Sequence, residues 1–489
     1  MRCLVLGATG YIGGRLVPEL LAAGHEVRVM ARTPSKLADY PWRDRVEVVA
    51  GDVTSPDDVA AAFQGQQVAY YLVHSLVRRD FTEIDRRAAE IVAAAAHEAG
   101  AERVVYLGGI VPDGDDLSAH LASRAEVGRI LLASGVPTIA LQAAVILGSG
   151  SASFEMLRYL TERLPMMITP RWVDRRVQPI AVRDVLYYLV HAATLPPTVS
   201  GAYDIGGPDV LTYQDMMQRY AATAGLPRRW ILPVPVLTPW LSAQWVNLVT
   251  PVPRAIAVPL IESLVHDVVC HDHAIAAIIP DPPDGLTPYD RAVSLALARV
   301  RLADVPTRWS DAATPSAPSE PLPSDPDWSG GTVYEDVREQ ACTAPPEVLW
   351  DVIEAIGGER GWYSFPLAWS VRGWMDRLAG GVGLRRGRRD PHRLRPGEAL
   401  DWWRVEDVRR GDVLRLRAEM KVPGYGWLEL RVRPGENGGS VYSQRALFKP
   451  RGLAGQLYWW SVAPFHAIVF GGMARNISRT AERQAAARA

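Results

Sequence analysis

The sequence is poor in cysteine and has almost no excess of charge of either sign. Its 489 residues include three cysteines, Cys3, Cys270 and Cys342, which show no paired spacing. This scarcity argues for a reducing compartment and against a disulfide framework or a zinc site. The formal net charge of -1 leaves no protein-wide field that would attract nucleic acid. We therefore expect a cytoplasmic protein that does not bind nucleic acid.

We also expect no secretory leader, because the sequence does not open with a basic segment followed by an apolar stretch. Two longer segments, 231–253 and 452–474, contain no Asp, Glu, Lys or Arg and are long enough to cross a bilayer. Prolines interrupt the first, and polar residues and four aromatic residues mark the second. We expect an apolar flap and a buried helix of a soluble protein. Peripheral membrane contact stays open as the alternative.

The first part of the chain alternates short apolar runs with helical patterns. Strands are expected at 2–6, 27–31, 46–50, 68–73, 103–107 and 138–147, and helices at 11–23 and 81–99. Strands separated by helices of this length are typical of βαβ units. The pattern therefore predicts an α/β domain with a doubly wound parallel sheet.

The composition changes abruptly near residue 313. The stretch 314–326 is rich in proline and serine, which is typical of an extended linker that cannot pack into a core. After it we expect a helix at 345–356, strands at 414–420, 427–432 and 441–448, and a long closing helix from about residue 457. The expected domains are 1–312 and 329–489, joined by a linker at 313–328. Strands followed by a closing helix suggest that the second domain is α+β.

A glycine-rich turn lies between the first strand and the first helix. Its sequence is Gly7-Ala8-Thr9-Gly10-Tyr11-Ile12-Gly13. Gly7 permits a tight turn, Gly10 lets backbone N–H groups approach a pyrophosphate, and Gly13 lets the helix pack closely on the sheet. In this context the turn predicts a dinucleotide site of the Rossmann type.

The residues after the second strand indicate which dinucleotide binds. A site specific for NAD usually has Asp or Glu there, which holds the ribose 2′-hydroxyl. This sequence has Arg32, followed by Lys36, and a guanidinium would pair with a 2′-phosphate. We therefore expect NADP(H) as the cofactor.

Other polar residues belong to the same expected crevice or fall outside it. Val73, His74 and Ser75 follow the fourth strand, and we expect them to contact the cofactor from a loop. His266, His271 and His273, with two aspartates among them, superficially suggest a metal cluster. A solvated face is the better interpretation, so no metal site is predicted.

Together with the glycine turn, three further segments resemble the atypical extended short-chain dehydrogenase/reductases, including the NmrA-like group. They are Gly51-Asp52-Val53, Gln178-Pro-Ile-Ala-Val-Arg-Asp184 and Tyr203-Asp-Ile-Gly-Gly-Pro208. The resemblance covers roughly the first 300 residues. It implies that Asp52 and Val53 lie at the adenine.

The usual catalytic pair of this family is altered. The Tyr-x-x-x-Lys motif is replaced by His120 and Arg124, and Gly108 and Gly109 stand where a Ser or Thr is expected. Two interpretations remain open. In one, His120 donates a proton and Arg124 holds the ribose, although a neighbouring guanidinium disfavours the protonated imidazole. In the other, the pair is lost and the domain binds NADP(H) without catalysis.

The region after the linker resembles DUF2867, a domain similar to the START/Bet v 1-like helix-grip fold. The segments that carry this resemblance are 383–391, 448–455 and Tyr458-Trp-Trp460. The region is rich in tryptophan, at positions 362, 369, 374, 402, 403, 427, 459 and 460, which suits either a hydrophobic ligand pocket or an ordinary core. We expect an NADP(H)-dependent oxidoreductase that acts on a hydrophobic, lipid- or quinone-like substrate. The alternative is a non-catalytic NADP(H)-sensing or hydrophobic-ligand-binding protein.

Overall fold

The computed structural model divides the chain into two compact units, Met1–Gly331 and Thr332–Ala489. The structure describes residues 1–74, 80–112, 117–234, 249–303, 331–363, 388, 390, 393–420, 422–435 and 438–488. Ser75, Trp369, Trp374 and the predicted linker at 313–328 lie outside these ranges. Each unit is treated by itself below.

The first unit is built on a parallel sheet, as the apolar runs predict. Its strands are Arg2–Leu6 (β1), Glu26–Ala31 (β2), Glu47–Ala50 (β3), Val68–Tyr71 (β4), Arg103–Gly109 (β5), Thr138–Ala143 (β6), Ile146–Leu147 (β7), Met166–Pro170 (β8), Arg176–Val177 (β9), Ile180–Ala181 (β10), Gly201–Ile205 (β11), Leu211–Thr212 (β12) and Trp230–Val234 (β13). Seven of them form one sheet in the order β11-β6-β5-β4-β1-β2-β3, with every pairing parallel.

Helices cover both faces of this sheet. They are Tyr11–Ala22 (α1), Pro56–Phe63 (α2), Phe81–Glu98 (α3), Ala119–Leu132 (α4), Ala152–Arg163 (α5), Val182–Ala192 (α6), Tyr213–Thr223 (α7), Arg254–Glu262 (α8), Ile275–Ile278 (α9) and Tyr289–Ala303 (α10). One apolar core lies between the sheet and α1 and α6, and a second lies between the sheet and α2, α3 and α4. The strands are therefore buried on both faces, which is why they are continuous apolar runs rather than alternating ones.

The structure corrects one strand prediction. The run 138–147 is not a single strand, because the chain leaves the main sheet after Ala143. Ile146 and Leu147 instead pair in parallel with Ile180 and Ala181. The pairing of β7 with β10 forms a separate two-stranded ladder beside the carboxyl ends of the strands of the main sheet. Further elements of the unit pack there over the crevice.

The second unit is an antiparallel sheet packed against helices. Its strands are Tyr334–Cys342 (β14), Ala399–Leu400 (β15), Trp403–Arg409 (β16), Val413–Ala418 (β17), Gly424–Pro434 (β18) and Ser440–Pro450 (β19), and its helices are Pro346–Glu354 (α11) and Gly452–Arg488 (α12). The strand order is β14-β19-β18-β17-β16-β15. One face of the sheet, with Leu428, Leu430 and Tyr442, packs against α11 and α12 in a single core. The α+β expectation is confirmed, and the closing helix begins five residues earlier than predicted.

Candidate active site

The glycine turn brings three backbone segments too close together for side chains. Gly7 has φ of +100°, and a Cβ on it would lie 2.8 Å from the carbonyl oxygen of Leu72, at the end of β4. A Cβ on Gly13 would lie 2.2 Å from the carbonyl oxygen of Gly7. The Gly10 N–H donates to that same oxygen at 2.9 Å. Gly7 and Gly13 therefore both require glycine. The cradle that they leave at the start of α1 fits a pyrophosphate.

The other side chains of the turn face away from the cradle or flank it. Thr9 is half-buried, and Ile12 packs against the core beneath the sheet. The Tyr11 hydroxyl lies beside Gly148, where an added Cβ would come within 2.3 Å of it. No acidic residue occupies the first turn of α1. The partial positive charge of this helix end is therefore not neutralised within its own first turn.

Arg32 and Lys36 lie after the carboxyl end of β2. Arg32 directly follows the strand, and Lys36 belongs to a short 3₁₀ turn, Pro34–Leu37. Both side chains are exposed, and neither makes an ion pair within the described ranges. Arg32 and Lys36 thus place two positive charges at the outer end of the expected dinucleotide cleft, and such charges bind anionic groups.

Asp52 and Val53 follow β3. Asp52 Oδ1 accepts hydrogen bonds from Thr54 N at 2.9 Å and Thr54 Oγ1 at 2.8 Å, and the Asp52 N–H donates to Asp58 Oδ2 at 2.9 Å. Val53 is half-buried against the core of that face. The local network fixes the carboxylate in the crevice at the end of the strand, and its contact with adenine stays a prediction.

His74, His120 and Arg124 come together across the crevice. His74 follows β4 and faces the charge of Arg124, which lies with His120 on α4; His120 and Arg124 are partly buried. The surrounding protein and, after it, the charge on Arg124 lower the pKa of His74 to about 3 and the pKa of His120 to about 4. Both imidazoles are therefore neutral at pH 7. His74 thus lies with the two predicted catalytic residues in one group of titratable side chains.

The start of α4 is fixed by hydrogen bonds that position His120. Ser118 Oγ accepts from the Leu121 N–H at 3.3 Å and lies 2.9 Å from Ser263 Oγ. Ser263 Oγ in turn donates to the Pro259 carbonyl oxygen at 2.9 Å. A capped helix start tied to a second helix holds the following side chain in place.

Two buried tyrosines lie beneath Arg124, and the sequence analysis did not identify them. The rings of Tyr71 and Tyr106 have centroids 6.0 Å apart, and Tyr106 Oη donates to the Arg124 carbonyl oxygen at 3.1 Å. Burial raises the pKa of both hydroxyls. They lie on the core side of the sheet, so neither replaces the tyrosine of the usual catalytic pair. A Cβ on Gly108 would lie 2.8 Å from the Tyr106 ring, which explains the absence of the usual Ser or Thr there.

An apolar cavity opens beside His120. Its volume is about 120 Å³, and its walls include Ile110, Val145, Met156, Leu157, Met217 and Ile261. The polar groups at its wall are His120, Ser153, Tyr213 and Ser263. Gly109, at the carboxyl end of β5, forms part of the same wall. His120 and Gly109 thus place the cavity at the carboxyl end of the sheet, where the cofactor crevice is expected, and its walls suit a largely apolar molecule.

Of the three histidines after α8, His271 makes a structural contact. His271 Nδ1 lies 2.7 Å from Asp204 Oδ2, and the His271 N–H donates to the same oxygen at 2.9 Å. Gln178 Nε2 donates to the Gly207 carbonyl oxygen at 2.8 Å, so two of the resembling segments bind each other. Within the described ranges, no three His, Cys, Asp or Glu side chains are grouped to hold a metal ion.

In the second unit Trp350, Trp362, Trp402 and Trp403 form part of the core. The Trp362 and Trp402 rings stack with centroids 5.4 Å apart, and Trp362 Nε1 donates to Asp401 Oδ2 at 2.8 Å. Asp401 is almost fully buried and has φ of +55°. A hydrophobic ligand of this unit stays a prediction. None of the helices in the described ranges is both long enough and apolar enough to span a bilayer.

Comparison with known proteins identifies both halves of the chain. Residues 7–135 match the family described as NAD(P)H-binding, and residues 328–473 match the protein family of unknown function DUF2867. The first part of the chain thus contains an NAD(P)H-binding domain with a Rossmann-like parallel sheet, and the second part contains a DUF2867 domain. The expected NAD(P)H-binding domain and the expected DUF2867 domain are confirmed.

Three similar proteins illustrate the range of relatives. An uncharacterised protein of Mycobacterium tuberculosis is 28% identical over 228 residues, which are 46% of this chain and 24% of that protein. The chain thus matches about a quarter of that relative's length. A ceramide reductase of Caulobacter vibrioides is 28% identical over 239 residues, covering 47% of this chain and 73% of that enzyme. The triphenylmethane reductase of Citrobacter, solved with NADP(H), has a TM-score of 0.50 at 18% identity and covers 60% of this chain and 100% of its own. This last likeness concerns the fold.

Proposed function

Because the chain joins an NAD(P)H-binding domain to a DUF2867 domain, we propose that it is an NADPH-dependent reductase of a hydrophobic acceptor. The observation that carries the proposal is the apolar cavity lined by His120 and by Gly109, at the carboxyl end of the sheet where the cofactor crevice is expected. A Rossmann domain that served only to sense the cofactor would not need such a cavity beside the nicotinamide end of its crevice. The ceramide reductase among the relatives supports a lipid-like acceptor.

The residues present fit NADPH. The Gly7 and Gly13 cradle would hold the pyrophosphate, and Arg32 and Lys36 would receive the 2′-phosphate. Asp52 would face the adenine. When bound, the reduced nicotinamide supplies a hydride.

The role of His120 follows from its charge state. Its pKa of about 4 leaves the ring neutral at pH 7, so it holds no second proton to transfer. A neutral imidazole still carries one N–H, which can donate a hydrogen bond to an oxygen of the acceptor and stabilise negative charge that develops there. Burial and, after it, the charge on Arg124 keep the ring neutral, and the proton that completes the reduction comes from solvent. The residues Met156, Leu157 and Met217 exclude water around the apolar part of the acceptor.

The first experiment separates binding from turnover. Titrations of the purified full-length protein with NADPH and NADH measure the two dissociation constants, and NADPH oxidation is then followed with quinones, enones and long-chain carbonyl compounds. We expect tighter binding of NADPH and turnover with an apolar acceptor. Tight NADPH binding with no turnover of any acceptor would support the sensing alternative and refute the proposal.

A matched pair of variants tests the cavity. Ser153 lines the cavity and is only half-buried, so Ser153→Phe blocks it without disturbing a closed core. Ala152 is the neighbouring residue on α5 and lies outside the lining. We expect Ser153→Phe to raise KM or abolish turnover with the dissociation constant of NADPH unchanged, and Ala152→Phe to preserve both. Equal turnover in the two variants would exclude the cavity as the acceptor site.

A further inference from the structure

Two apolar faces are exposed to solvent, one where the first uncharged segment of the sequence begins and one within the second. In the first unit, β8 and β13 pair in parallel, with Trp230 opposite Met166 and Leu232 opposite Ile168. These four side chains alternate with residues that point inward, and they are between 60% and 77% exposed. Met167, which alternates with them, is buried in the core. Four large apolar side chains on one face exceed the scattered exposure that is normal for a soluble protein.

The second unit has a comparable face on the first half of α12. Leu453, Leu457, Trp460 and Phe465 are between 41% and 66% exposed. Leu453, Leu457 and Trp460 follow one another at four and three residues, so they share one side of the helix. On another side of this half of the helix, Trp459 is buried and stacks on Tyr334 of β14 and Phe448 of β19. A surface helix normally turns polar residues outward, but here the outward side stays apolar over several turns.

Basic residues lie beside both faces. Exposed Arg451 and Arg475 bracket the uncharged part of α12. In the first unit, exposed Arg228 precedes β13, and exposed Arg175 follows β8 after a short turn that contains one acidic residue, Asp174. Apolar side chains with tryptophan among them and arginines at the rim complement a bilayer surface that carries negative charge.

We propose that the protein docks peripherally on anionic lipid bilayers through these two faces, the β8–β13 face and the α12 face. The apolar side chains enter the boundary between headgroups and acyl chains, Trp230 and Trp460 lie at that boundary, and the arginines contact lipid phosphates. Neither face requires a segment that spans the membrane. The inference does not depend on the proposed reductase activity, because it rests on surfaces remote in sequence from the glycine turn.

The test is flotation of the full-length protein with vesicles of phosphatidylcholine alone and with phosphatidylglycerol added. We expect the protein to float with the anionic vesicles, and less so as salt is raised. The paired variants Ile168→Ser/Trp230→Ser and Leu457→Ser/Trp460→Ser remove one face each, and each pair is expected to weaken partitioning by about tenfold or more. The control pair Val210→Ser/Val337→Ser removes one isolated exposed apolar residue from each unit.

The outcomes separate the possible occupants. Absence of the wild-type protein from floated anionic vesicles overturns the proposal. So does equal partitioning of the two face variants and the control. Sedimentation velocity measures self-association in parallel. If the face variants convert a dimer to a monomer and the wild type does not float, then the faces bind a second copy of this chain and the membrane proposal is wrong. Circular dichroism and NADPH titration of each variant show that the fold is retained.

Discussion

The neutral state of His120 makes folding of the first unit depend on pH in a way that one substitution removes. The folded protein holds the pKa of this imidazole near 4, against an ordinary value of 6.5. The unfolded chain therefore binds a proton at higher pH than the folded chain does. Stability is full above about pH 6.5, falls as the pH decreases toward 4, and changes no further below that value.

The size of the effect follows from the two pKa values. At about pH 5 the imidazole is almost fully protonated in the unfolded chain and almost fully neutral in the folded one. The resulting loss of stability from this residue is at most about 2 kcal/mol, because the ring is partly exposed and solvent screens part of the interaction. At about pH 7.5 the contribution is close to zero, since both states are then neutral.

Urea unfolding of the wild type and His120→Gln at about pH 7.5 and about pH 5 measures this contribution. We expect the wild type to lose up to about 2 kcal/mol more than the variant between the two pH values. His191→Gln is the control, because it removes an exposed imidazole from α6 of the same unit. Identical pH dependence in the wild type and His120→Gln would refute the account of a neutral, desolvated ring.

Three further substitutions test other parts of the structure. Arg32→Ala should weaken NADPH binding by about 10- to 100-fold with little change for NADH, because a charge-assisted hydrogen bond is lost. The control is Arg45→Ala. Arg45 precedes the amino end of β3, at the opposite end of the strands from Arg32, so this substitution should change neither dissociation constant in the same titrations. Gly13→Ala would place a methyl group 2.2 Å from a backbone carbonyl oxygen of the glycine turn, so we expect calorimetry to detect no NADPH binding, and unchanged affinity would contradict the close packing. Trp362→Phe removes the 2.8 Å hydrogen bond to buried Asp401 and should lower the free energy of unfolding of the second unit by about 1–3 kcal/mol; an unchanged urea midpoint would show that this bond contributes nothing.

Most of the fold could be predicted because its signals are local. Parallel strands buried on two faces require short apolar runs, and Leu4, Val5 and Val29 belong to such runs. The glycine turn was equally visible, since its function depends on seven consecutive residues. The break after Ala143 was not predictable from the run itself. Its cause is a pairing with Ile180 and Ala181, which lie more than thirty residues further along the chain.

The cavity was not predicted for the same reason. Its walls come from the ends of β5 and β6 and from α5, α7 and α8, which are separated along the sequence by long intervals. Apolar residues such as Leu157 and Met217 look like ordinary core residues in their own helices. Nor was the position of His74 beside His120 and Arg124 predicted. It arises from the approach of β4 to α4, and the sequence places these elements almost fifty residues apart.

The electrostatics of the crevice also bear on which acceptors the proposed reductase would take. Hydride addition to an isolated ketone produces a strongly basic alkoxide, which needs a proton donor beside it in the transition state. His120 and His74 are both neutral at pH 7 and cannot fill that role. Hydride addition to a quinone or an enone places the negative charge on a delocalised oxygen, which a hydrogen bond from a neutral imidazole stabilises well. We therefore expect quinones and enones to be reduced in preference to simple ketones. A marked preference for simple ketones, with a rate that falls as the pH rises through the ordinary pKa of histidine, would contradict this expectation. It would mean that His120 is charged in the complex and that burial and Arg124 do not keep its pKa low.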